Sequence, residues 1–126
     1  MLVATIRGVS APARKHEVLT VGPLEILPAD HLARADGRTL TLSLIELRML
    51  TELARRADTI VSREELCERV WNRQFRSGDR SIDVYVHKLR VKLEAALPGW
   101  RVIHTHFRFG YRLAPEPEQG APLVRS

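Results

Sequence analysis

With 126 residues and one cysteine, the chain has the length of a single domain with tails and lacks the cysteines for an intrachain disulfide framework or a multi-cysteine zinc site. Its 44% hydrophobic and 28% charged residues are ordinary for a globular protein, no run approaches the roughly eighteen apolar residues of a membrane span, and Met1–Ile6 is too short and weakly flanked for a signal peptide. The net charge of +5 is segregated, with eleven Lys and Arg against six Asp and Glu between Ile60 and Arg112 and balance elsewhere, which suggests a polyanion as partner.

Residues 1–18 show no periodicity and read as an N-terminal tail or linker. From Leu19 to Leu42 the chain changes to short, partly alternating runs: Leu19–Val21, Leu24–Leu27, His31–Ala35 and Thr39–Leu42. Gly22-Pro23, Pro28–Asp30 and Asp36-Gly37 separate them. Asp-Gly between such runs is a hairpin signal, so a small antiparallel sheet of about four strands is predicted. Ser43–Arg56 reads as a helix. Ser43 is its cap, Glu46 completes a capping box, and Leu44, Leu47, Leu50, Leu53 and Ala54 form the expected buried stripe, with Met49 and Thr51 outside it.

A second helix, Arg63–Trp71, starts after the cap Ser62, with Leu66, Cys67, Val70 and Trp71 as its apolar side. Cys67 packs there as a small apolar residue, and a reducing cytoplasm fits it. Asn72–Gly78 is too long for a tight helix-turn-helix turn and carries Arg73, Phe75 and Arg76. The helix Asp79–Leu97 follows, capped by Asp79 and ended by Pro98-Gly99. Ile82, Val86, Leu89, Leu93 and Leu97 fall on one stripe, whereas Asp83, Val84, His87, Lys88, Arg90 and Val91 lie on the other side. That mix of cations, imidazole, carboxylate and small apolar groups suits base edges in a major groove as well as it suits solvent. Trp100–Thr105 and Phe109–Leu113 read as a hairpin with Arg108 at its tip, placed for a minor groove, and 114–126 reads as a C-terminal tail.

Strands, three helices and a terminal hairpin give an α+β fold in winged helix-turn-helix order. Leu42–Leu50, Val61–Leu66 with Val70-Trp71, Arg80–Leu93, and Ile103–Thr105 with Gly110–Leu113 make the likeness specific. Over about Leu19–Leu113 the chain resembles the OmpR/PhoB-type DNA-binding domain of bacterial response regulators. The resemblance implies an N-terminal four-stranded antiparallel sheet, three helices and a C-terminal β-hairpin wing, with 79–97 as recognition helix. It implies Asp83, Val84 and Lys88 as base readers, and Ser62, Arg63, Ser81, His87, Arg90, Thr105 and Tyr111 as backbone or groove-edge contacts. It further implies a polymerase-contacting loop through Arg73, Phe75 and Arg76, and tandem dimers on direct-repeat double-stranded DNA.

The sequence departs from the family at the wing. Phe107 stands at the usual arginine and Arg108 at the usual glycine, so either the minor-groove arginine is shifted by one or Phe107 packs on the sugar edge instead. His87 and Lys88 stand where the family often has arginine, and lysine offers a point charge rather than a fork. No segment matches a receiver domain, which leaves a fragment or a stand-alone effector as expectations.

Other readings weigh less. His104 and His106 lie two apart on a strand, a spacing that two metal ligands can use, but polar wing residues fit them better. No nucleophile–base pair has a motif around it, so neither an enzyme nor a cofactor is expected. The alternative function is a protein-interaction module that contacts RNA polymerase or a regulator, with secondary DNA binding. Salt dependence separates the two, because phosphate-driven binding weakens steeply with salt.

Overall fold

A computed structural model of the chain describes residues 17–76 and 78–118, so the expected tails lie largely outside the described residues. The N-terminal part is a four-stranded antiparallel sheet in the order β1-β2-β3-β4, with β1 Leu19–Val21, β2 Leu24–Leu27, β3 Leu32–Ala35 and β4 Arg38–Thr39. Alternation decides its faces. Leu24, Ile26, Ala33 and Ala35 are buried, while Glu25 and Arg34 pair at 2.9 Å on the other side. Asp36 and Gly37 both take positive φ, 52° and 81°, as a two-residue hairpin turn of the favoured hand requires. The third strand starts one residue later than expected, because His31 closes a 3₁₀ turn over Pro28–Asp30 in a left-handed conformation. The fourth is shorter and shifted towards the turn.

The helices are α1 Leu44–Arg55, α2 Arg63–Trp71 and α3 Ser81–Ala96. At the start of α1 the Ser43 side chain accepts from the Glu46 N–H and the Glu46 carboxylate accepts from the Ser43 N–H at 2.8 Å, the expected capping box. The face of α1 differs from the expected stripe. Leu44 is half exposed, whereas Met49 is fully buried and Thr51 nearly so, its hydroxyl donating to the Leu47 carbonyl at 2.7 Å. The reason is that α1 packs against α2 and α3 and also against strands of both sheets, so its buried arc is wider than one stripe.

The C-terminal sheet is three-stranded in the order β5-β7-β6, with β5 Ile60–Val61, β6 Trp100–His106 and β7 Gly110–Pro117. Ile60-Val61 is thus a strand, paired antiparallel with Tyr111-Arg112. The last strand runs past Leu113 to Pro117, where a tail was expected, with Pro117 opposite Trp100. Past Arg112 the pairing with β5 ends, so Pro115 and Pro117 lie where β6 is the only strand neighbour of β7. One core joins the parts, drawing Leu50, Leu53, Leu66, Ile82, Leu89, Leu93 and Leu113 from all three helices and the last strand. No helix among the described residues is long and apolar enough to cross a membrane.

Candidate nucleic-acid interface

The third helix is two-sided. Ile82, Val86, Leu89 and Leu93 face the core, at most 1% exposed, and Leu97 caps their line at its end. Asp79 begins the helix: its Oδ1 accepts from the Ser81 N–H at 2.9 Å and the Ser81 hydroxyl at 2.7 Å, although Arg80 occupies the cap position itself. Those bonds and the Arg73 guanidinium hold the Asp79 carboxyl at about 2. Away from the core stand Val84, His87, Lys88 and Val91, all exposed. Lys88 rests its ammonium 5.1 Å from the Tyr85 ring centroid, and Tyr85 meets Trp71 of α2 edge-on at 5.7 Å. The side chain is supported from below while its charge stays in solvent.

Three expected site residues meet at one point. Asp83 Oδ1 accepts from Arg63 Nε at 2.8 Å and also from the Tyr111 hydroxyl. Arg63 lies over the Tyr111 ring at 5.0 Å. Burial, then the Asp83 carboxylate, push the Tyr111 hydroxyl up; for Arg63 burial pulls down, but Asp83 and Tyr111 together outweigh it and raise it. Asp83, expected at a base edge, therefore spends its carboxylate on fastening α2 and β7 to α3. Beside it, Ser62 caps α2 by accepting from the Glu65 N–H at 3.1 Å.

A second link runs to the hairpin. Arg90 Nη2 donates to Thr105 Oγ1 at 2.8 Å, bringing two expected groove-edge residues into contact. The wing histidines are separately engaged: His104 Nε2 lies 2.8 Å from the Ala114 carbonyl, and His106 Nε2 accepts from Arg112 Nε at 3.0 Å. No cluster of three or more potential metal ligands occurs among the described residues. At the tip, Phe107 and Phe109 project into solvent, and the Arg108 guanidinium lies 5.4 Å from the Phe107 ring centroid. Gly110 is obligatory: its φ is +139°, and a Cβ there would lie 2.0 Å from the Val61 carbonyl oxygen.

In the loop before α3, Arg73 pairs with Asp79 at 2.9 Å, lies 5.2 Å from the Trp71 ring and reaches Ser81. Phe75 packs against the core, and Arg76 is exposed. Of the three expected loop contacts, then, Arg73 is exposed but ion-paired, Phe75 is half-buried, and Arg76 is exposed. Sequence reasoning missed Phe109, read as the first residue of a strand, and Lys92. Lys92 donates to the buried Glu46 at 2.6 Å and, with His87, Lys88 and Val91, lines an open depression of about 460 Å³.

Comparison with known proteins follows the same outline. A family model described as transcriptional regulatory protein, C terminal, matches residues 37–113. The alkaline phosphatase synthesis transcriptional regulatory protein SphR of Synechococcus elongatus is 35% identical over 107 residues, covering 85% of this chain and 42% of that protein. The chain spans about half the length or less of the curated relatives it matches. Among solved structures, the DNA-binding domain of CpxR from E. coli aligns with a TM-score of 0.71 at 32% identity, over 78% of this chain and 96% of that one. The Klebsiella pneumoniae RstA DNA-binding domain in complex with the RstA box aligns with 0.70 at 33%, over 79% and 98%.

Proposed function

The chain belongs to the family of transcriptional regulatory protein C-terminal domains, and on that premise we propose that it binds double-stranded DNA sequence-specifically as a transcriptional regulator. In this reading α3 lies in the major groove and the β6–β7 hairpin at the neighbouring minor groove. The observation that carries it is the outer side of α3: Val84, His87, Lys88 and Val91 stand free, and Arg90 ties that helix to Thr105 of the hairpin. A relative of 33% identity bound to its own DNA box supports the same use of the fold.

Val84 and Lys88 are the base readers of this proposal, the first for a thymine methyl and the second for guanine. Asp83 positions Arg63 and Tyr111, which with Ser62, Ser81, His87, Arg90 and Thr105 meet phosphates or groove edges. Arg76 with the neighbouring loop is the surface for RNA polymerase, two copies sit in tandem on a direct repeat, and the role is regulatory rather than catalytic. The same proposal has the protein act in the cytoplasm.

The test is selection from random duplex DNA by the 126-residue chain at near-physiological salt. Enrichment of two half-sites in direct repeat, about one helical turn apart, is expected. A folded protein that enriches no sequence, and whose partner binding is insensitive to salt, would turn the assignment towards the protein-interaction module.

A further inference from the structure

Phe107 and Phe109 are 77% and 70% exposed, the two most exposed large apolar side chains among the described residues. They flank Arg108 in a turn closed by the Phe109 N–H donating to the His106 carbonyl at 2.8 Å. Arg108 is held there at φ +72°, a left-handed conformation that glycine adopts freely and a β-branched or long side chain does not. A strained residue kept at an exposed tip is a candidate for function. Arg108 also stands apart from the ion-paired arginines Arg34, Arg55, Arg56, Arg63, Arg73 and Arg112 among the described residues. The stalk below is stiff. Gly110 abuts the Val61 carbonyl, Tyr111 is bound to Asp83, and Thr105 is bound to Arg90.

The geometry points to a wedge: the rings of Phe107 and Phe109 enter the minor groove beside α3, unstack one base step and kink the duplex, with Arg108 between them neutralising phosphate charge. Apolar side chains inserted between base steps act in this way in architectural DNA-binding proteins. The wedge rests on the DNA-binding reading above and adds deformation of the duplex to it. Preference at the flank then comes from how easily a step opens, with pyrimidine–purine steps favoured, rather than from hydrogen bonds to bases. A second copy of the chain would also cover two exposed rings. The cation between them and the basic side chains on the outer side of α3 favour a polyanion.

The experiment uses the full chain and duplexes enriched by selection, each with 2-aminopurine at one position along the wing-side flank, at protein concentrations that saturate the duplex. The expected result is a several-fold fluorescence rise at one step, with bending by end-to-end energy transfer. Both signals are lost in Phe107→Ala and Phe109→Ala proteins whose circular dichroism is unchanged. Saturation without a fluorescence rise or bend at any flank position would overturn the wedge. So would variants whose only defect is weaker self-association in sedimentation, which would assign the tip to a second copy. A wild-type chain that shifts no duplex in a gel overturns the DNA-binding reading itself, and the wedge with it, before any fluorescence is read.

Discussion

The start of α1 and the tip of the β6–β7 hairpin are both a few residues at a change of chain direction, yet they treat their side chains in opposite ways. At the start of α1 the capping groups answer one another. Ser43 and Glu46 satisfy each other's N–H, and the buried Glu46 carboxylate also accepts from Lys92. At the tip, two phenyl rings are left in water and an arginine sits where glycine would be unstrained. The first follows the local rules of folding and serves the fold; the second breaks them next to the outer side of α3. Local rules are broken most often where a surface has work outside its own chain.

The sharpest way to break this contrast lies just below the tip. Gly110→Ala forces a Cβ into the Val61 carbonyl, and a loss of at least about 3 kcal/mol in urea-monitored stability is expected. A near-native midpoint would show that the stalk yields and is no rigid base. Lys88→Ala separates binding from folding. Specific affinity should fall by about 1–3 kcal/mol by titration of a selected duplex, with stability almost untouched, since the ammonium is exposed. An unchanged preferred sequence would remove Lys88 from the readers.

Glu46→Gln tests the satisfied end. Loss of the charge-assisted bond with Lys92 should cost on the order of 1 kcal/mol. Burial alone would raise the Glu46 carboxyl, but the Lys92 and Ser43 bonds outweigh it and hold it below its ordinary 4.5. A depressed carboxyl contributes stability that is present above 4.5 and drains away as pH falls through the lower folded value. Wild type should therefore lose stability with acid below that point more steeply than the glutamine variant, and parallel pH profiles would refute the assignment. The smallest effect has the opposite sign. Arg108→Gly relieves the left-handed strain and should raise stability by up to about 1 kcal/mol, offset in part by glycine's greater freedom when unfolded. Duplex affinity should fall at the same time. A variant that loses stability would mean that Arg108 supports the fold.

Much of this was legible where the signal is local. The Asp36-Gly37 turn, the Ser43 and Ser62 caps and the bounds of α2 follow from neighbours in sequence, and the structure places them as read. What escaped depends on distant partners. Ile60-Val61 is a strand only because Tyr111-Arg112 lies alongside it. Met49 is core only because α1 is covered from several directions. The engagement of Asp83 was invisible because Arg63 lies 20 positions away and Tyr111 lies 28, so a carboxylate on the outer side of a helix read as free. The terminal hairpin was legible from its own strands, but at 107–109 the residues differ from the family pattern, and their role stayed open between a shifted arginine and Phe107 on the sugar edge.

The bond from Arg90 to Thr105 has one more consequence. It joins the helix proposed for one groove to the strand that carries the element proposed for the next, and so acts as a ruler. Each inserted base pair lengthens a duplex by about 3.4 Å and turns it, so a protein with a fixed gauge reads its two sequence elements only at one separation. Sites for this protein should then tolerate base changes more readily than a one-base-pair insertion between the major-groove core and its flank. Loosening the gauge with Thr105→Ala should relax that spacing rule before it alters which bases are preferred.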